Sequence, residues 1–123
     1  MRFFAWAVAG VGLGVGLVAA DAQAQQAHDG RWSVEVVTEK GDCDRAFRYP
    51  VAVQNGRIRY AGDASGFNIS GQVAPNGAVQ VSITSSQGRA DGRGRIAGSA
   101  GAGTWTISGG RACSGRWSAD KRS

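Results

Sequence analysis

The sequence predicts an all-β chain, a single small antiparallel up-and-down β-barrel of about eight strands, and three observations predict it. Apolar side chains recur at every second position in short runs, Gly, Asn, Asp and Pro cluster between the runs, and two cysteines fall where a first and a last strand would meet. Alternation with period two is the mark of a strand with one buried face. The 123 residues have room for one domain. A content of 20 glycines against 2 prolines, with β-branched and aromatic residues spread through the last two-thirds, favours short strands joined by tight turns over helices.

The first element is not part of the barrel. Phe3 to Ala20 form an apolar run behind the single Arg2, and Ala22-Gln23-Ala24 supplies the small residues of a cleavage site. This reads as a signal peptide over 1–24, cleaved after Ala24. A retained membrane anchor is the alternative, since the run lies at the lower edge of spanning length. Glycines at alternate positions from Gly10 to Gly16 weaken a lasting helix there. No cysteine follows the run to accept a lipid. A periplasmic or secreted location follows, with no transmembrane segment after cleavage.

Residues 25–30 read as a flexible lead-in, and the barrel domain as 31–119. Trp32, Val34 and Val36 alternate with Ser33 and Glu35; Phe47, Tyr49, Val51 and Val53 alternate with Arg48, Pro50 and Ala52. Asn55-Gly56 is the strongest hairpin signal of the chain. After it, Ile58 and Tyr60 alternate with Arg57 and Arg59. Phe67, Ile69 and Val73 form a fourth apolar phase, Pro75-Asn76-Gly77 a turn, and Val79, Val81 and Ile83 a fifth phase. Arg89 to Gly98 is a weaker strand, with Ala90, Gly92, Gly94 and Ile96 on one side; its glycines point to a tight bend or a close backbone approach. Trp105 and Ile107 mark a seventh strand, Cys113, Gly115 and Trp117 an eighth, and 120–123 a charged tail.

A meander of this size closes into a barrel or folds into two stacked sheets, so a β-sandwich is the alternative. The cysteines favour the barrel. In an exported chain Cys43 and Cys113, without Cys-x-x-Cys spacing, read as a disulfide. In a closed barrel the end of the first strand lies beside the start of the last, so that bridge would staple the closing seam. Gly30-Arg31-Trp32-Ser33 recurs as Gly115-Arg116-Trp117-Ser118 on the same two strands. The aromatic residues share the inward phase, which predicts an interior filled by side chains rather than one holding a ligand.

Catalytic machinery is sparse. His28 is the one histidine and sits in the lead-in, so Ser/His or Cys/His nucleophile pairs have little to draw on. Asp42 and Asp44 flank Cys43, and Glu35 and Glu39 share a strand face, but a solvated loop and surface explain them more simply than an acid/base pair. No catalytic residue, metal site or cofactor is expected. The balance of 14 basic to 9 acidic residues gives a net charge of +5, almost all of the basic side being Arg. Arg57, Arg59, Arg89, Arg93 and Arg95 lie on polar strand faces and are the candidate anion-binding residues, since guanidinium groups fit carboxylates and phosphates.

The stretch from Asp29-Gly30-Arg31-Trp32 through Gly41-Asp42-Cys43-Asp44-Arg45 and Tyr49-Pro50-Val51 to Cys113-Ser114-Gly115-Arg116-Trp117 resembles a group of small exported proteins of alphaproteobacteria. Some of that group carry the label of haem-utilisation or adhesion exoproteins. Haem binding is not carried over, because iron usually needs a His, Cys, Met or Tyr ligand and the mature chain has His28, two bridged cysteines and two tyrosines in the core phase. In general plan the chain is also similar to small disulfide-bearing β-barrel inhibitors of secreted proteases. The expectation is a monomeric, non-catalytic exported binding protein that acts through a basic surface or loop ends on a protein or an anionic envelope component, with no specific nucleic acid. Inhibition of a secreted enzyme is the second reading, and a small hydrolase using loop carboxylates the third.

Overall fold

Inward-facing apolar residues every second position produce eight strands in the structure, a computed structural model that describes residues 26–86, 88–109 and 112–123. They are β1 (Gly30–Lys40), β2 (Ala46–Gln54), β3 (Arg57–Tyr60), β4 (Phe67–Val73), β5 (Ala78–Ser85), β6 (Gly88–Ala97), β7 (Ala100–Ser108) and β8 (Ser114–Lys121). Each pairs antiparallel with the next, and β1 pairs with β8, so the sheet closes into a barrel in the order of the chain. Closure removes the unpaired edges that an open sheet of this size would expose. The leader and its cleavage segment lie outside the described residues.

The pleat sorts the side chains. Trp32, Val51, Val53, Ile58, Val73, Val79 and Ile96 are buried inside, while Arg48, Arg57, Arg59, Arg93, Arg95 and Arg116 stand on the outer wall. This is the reverse of a lipid-facing barrel, which is apolar outside. The Asn55-Gly56 turn has positive φ at both residues, 53° and 76°, and joins the paired Gln54 and Arg57, as a two-residue hairpin requires.

The seam behaves as the cysteine placement implies. Val36 faces Trp117 and Val34 faces Ala119 across β1 and β8, and the Cys43–Cys113 disulfide sits at the end of that ladder, with its Cα atoms 6.2 Å apart. Cys113 is 3% exposed. The bridge and the loops joining β1–β2, β3–β4, β5–β6 and β7–β8 share one end of the barrel, here called the mouth.

Two segments differ from expectation. Residues 26–29 are tied down rather than loose. The Asp29 carboxylate accepts the N–H groups of Asn55 (2.9 Å) and Gly56 (3.3 Å), Gln26 Nε2 donates to Asn55 Oδ1, and the His28 carbonyl accepts the Trp32 indole N–H. A polar segment that reads as free in sequence thereby caps the end opposite the mouth, because a hairpin there offers two N–H groups without ladder partners. The chain end is not a free tail either. Asp120 and Lys121 belong to β8, and Arg122 and Ser123 exchange backbone hydrogen bonds with Arg31. The charges at 120–123 mask backbone pairing that side-chain character cannot reveal.

Candidate functional site

The two ends of the lumen are built differently. At the capped end Trp32, 2% exposed, packs with Val51, Val53, Ile58, Val73, Val79 and Ile96, and only a crevice of about 70 Å³ is left. At the mouth a cup of about 630 Å³ opens, walled by Val36, Ile83, Ala90, Trp105 and Ile107. Trp117, Tyr49, Val81 and Ile83 border both spaces and form the floor between them. The expected filled interior is therefore found at one end only.

Glycines explain why the tryptophans do not fill the lumen. In one cross-strand row Gly94 of β6 and Gly103 of β7 lie beside Trp117 of β8; in the next, Gly92 of β6 precedes Trp105 of β7 and Gly115 of β8 follows it. A side chain at Gly103 would come within 2.7 Å of the Trp117 indole nitrogen, and one at Gly94 would meet the same ring. The Trp117 indole lies flat along a wall stripped of side chains and donates its N–H to the Arg93 carbonyl at 3.2 Å. Trp105 likewise reaches across β8, donating to the carbonyls of Val37 (3.1 Å) and Arg116 (3.2 Å). The close approach implied by the β6 glycines is thus that of a ring to the backbone. Rings laid along the wall leave the axis empty.

The cup offers a ligand an apolar lining with little polar competition. Both indole donors are engaged by backbone, and among the described residues no buried side-chain polar atom lacks a partner. The apolar part of this lining attracts apolar surface; the charged groups that border the cup are Asp44, Arg89 and Asp91, the last two paired with each other. On one side Phe47 and Tyr49 line the cup, and further rings back Tyr49 beyond that lining. β3 and β4 pair only at Arg57–Gln72 and Ile58–Gly71, and beyond that point they diverge toward the mouth. Tyr49, Tyr60 and Phe67 gather there, with the Tyr60 and Phe67 ring centroids 4.9 Å apart and both rings edge-on to Tyr49. The Ala64 N–H donates to the Tyr60 hydroxyl, and Phe47, 36% exposed, extends the cluster to the rim. Burial, with a smaller contribution from Tyr60, raises the Tyr49 pKa above the ordinary phenol value.

The carboxylates and the histidine singled out from sequence are dispersed. Glu35 pairs with Arg48 at 3.5 Å and Glu39 with Arg116 at 3.8 Å, both on the outer wall. Asp42 lies in the exposed loop beside the bridge; Asp44 stands at the rim of the cup, where its carbonyl accepts the Thr38 hydroxyl. His28 is at the far end, its Nε2 3.3 Å from the Pro75 carbonyl oxygen. Among the described residues no three His, Cys, Asp or Glu side chains gather as a metal site would require.

The five candidate arginines share the outer wall but not one fate. Arg59 donates to Gln54 Oε1, Arg95 to the Asn76 carbonyl, and Arg89 to Asp91 and Ser82. Hydrogen bonds from Ser82 and then Arg89 lower the Asp91 pKa below the usual carboxylate range. Arg57 and Arg93 make no hydrogen bond or ion pair with the described residues. Sequence reasoning missed the cup itself; its trace is the set of inward-phase glycines 92, 94, 101, 103 and 115, which become meaningful only once their rows contain Trp105 and Trp117. The chain matches no protein-family model, no curated protein and no solved structure.

Proposed function

We propose that this protein is an exported, non-catalytic binding barrel that holds one small, uncharged, apolar molecule in the cup at its mouth. The observation that carries this reading is an apolar cup of about 630 Å³ whose indole donors are already engaged. Its volume falls within the range of small-molecule sites, about 300 to 1,000 Å³. The loop ends of the sequence analysis are thus the working part, as the frame of the opening. Export is supported by the apolar leader and by a disulfide, which persists in oxidising compartments. Glu35 and Glu39 are paired on the outer wall and His28 is at the far end, which separates these candidates from the cup and supports a binding role.

A neutral fluorophore tests this. N-phenyl-1-naphthylamine should bind saturably, one per chain, with quenching of Trp105 and Trp117 and enhancement of its own emission. Ala90 faces the cup from β6, so Ala90→Trp should fill the space and abolish the enhancement while the barrel still unfolds cooperatively. Absence of saturable binding to the unaltered protein, or equal binding by a folded Ala90→Trp variant, would overturn the proposal.

A further inference from the structure

The outer wall carries a polar trough on the opposite face of the sheet from the cup, the two sharing Val81, Arg89, Asp91, Gly92 and Trp105 of the wall. The registers of β3 through β8 set Arg57, Gln72, Gln80, Arg93, Thr104 and Arg116 side by side in one continuous row, one residue from each strand. Arg57, Gln72, Gln80, Arg93 and Thr104 border this shallow trough of about 870 Å³, together with Ser70, Ser82 and Asp91 of the adjacent row and Arg89. The row contains no acidic residue. Arg116 is engaged by Glu39, whereas Arg57 and Arg93 are unpaired among the described residues and lie three strand spacings apart, about 14 Å.

We propose that this row binds an acidic polysaccharide laid across the strands, with its carboxylates on Arg57 and Arg93 and its hydroxyls on Gln72, Gln80 and Thr104. The chemistry of the row selects that class. Guanidinium groups donate in a planar fork that suits a carboxylate. The amides and hydroxyl between them both donate and accept, as sugar hydroxyls require. The outward positions of β4 to β7 hold Asn, Ser, Gln, Thr, Arg, Asp and Ala side chains and no ring, so the stacking platform that holds single-stranded nucleic acid is missing. Asp91, the acidic group of the adjacent row, also borders the trough, where its carboxylate accepts hydrogen bonds from Ser82 and Arg89 that offset its charge. Two well-spaced cations with neutral hydrogen-bonding groups between them match a chain bearing its charges at intervals better than a compact anion, which would engage one arginine at a time.

Titration of 15N-labelled protein with an oligogalacturonate of about six sugars tests the assignment. The side-chain amide signals of Gln72 and Gln80 should shift on binding. Arg57→Gln with Arg93→Gln should weaken binding at least tenfold, and binding should weaken as salt is raised. Arg59→Gln with Arg95→Gln removes the same charge from the wall and should leave affinity within about twofold. A neutral maltohexaose and an oligothymidylate should each bind at least tenfold more weakly. Unmoved Gln72 and Gln80 signals, an equal loss in the Arg59/Arg95 pair, or equal affinity for the oligothymidylate would overturn the proposal. The Gln readout uses the unaltered chain, so it stands whatever the variants do. Binding of the fluorophore in the cup should be unchanged in both arginine pairs, which keeps the two proposals separable.

Discussion

Removing the Cys43–Cys113 bridge tests how the barrel is closed. The cysteines are 70 residues apart, so the bridge closes a loop that spans most of the described chain. In the chain-entropy picture such a loop removes about 15 cal/mol/K from the unfolded ensemble, or about 4 kcal/mol at 25 °C. Unfolding entropy of about 2 cal/mol/K per residue over about 100 residues then gives a fall in Tm of roughly 20 °C. The β1–β8 ladder has eight partnered pairs of its own, so the chain should still fold without the bridge. Calorimetry should compare oxidised protein, reduced protein and a Cys43→Ala, Cys113→Ala variant. Reduction deletes only the cross-link, whereas the variant also truncates the buried Cys113, so the variant should be the less stable of the two. The urea m-value should rise as the unfolded chain expands. A fall of less than about 5 °C on reduction would show that constraint of the unfolded chain is not what the bridge contributes.

Other consequences follow from named contacts. Gly103→Ala should cost about 1 to 3 kcal/mol by urea unfolding, because its Cβ would overlap the Arg93 carbonyl and press on Trp117; Gly92→Ala, whose nearest obstacle is a Val81 methyl group, should cost less. Asp29→Ala should cost about 1 to 3 kcal/mol, since two N–H groups of the Asn55-Gly56 turn lose a charged acceptor, and amide exchange should quicken at those two residues first. The raised Tyr49 pKa means that the folded state favours the neutral phenol. Its contribution is complete below the unfolded value near 10 and is lost as pH rises through the folded value, so absorbance at 295 nm should show one tyrosine titrating late and Tyr49→Phe should remove that step. For Asp91, whose pKa is lowered, the contribution is present above the usual carboxylate value and lost as pH falls through the folded one; carboxyl NMR should show it protonating at lower pH in the wild type than in Ser82→Ala.

The fold was legible because its determinants are local and repeated. Alternation at Trp32-Val34-Val36 and at Val79-Val81-Ile83, the Asn55-Gly56 turn, and the cysteine positions each act within a strand or between neighbours, and closure of the barrel is what they jointly require. The cup was not legible, because it depends on which residues stand side by side across strands. Trp117 in sequence is an inward aromatic and predicts filling; Trp117 beside Gly103 and Gly94 is a ring against a bare wall. The arginines show the same limit. Arg57 and Arg93 lie on strands that are not adjacent, and only the register places them in one row with Gln72 and Gln80 between them. The capping of the far end by Asp29 was invisible because its partners are backbone N–H groups.

The location of a bound apolar molecule tests the central claim most directly. With methyl-labelled protein and N-phenyl-1-naphthylamine, intermolecular NOEs should connect the probe to Val36 and Ile107 at the mouth and not to Val53 or Val73 at the packed end. Contacts from the probe to outward residues alone, or to the packed end in place of the mouth, would contradict it.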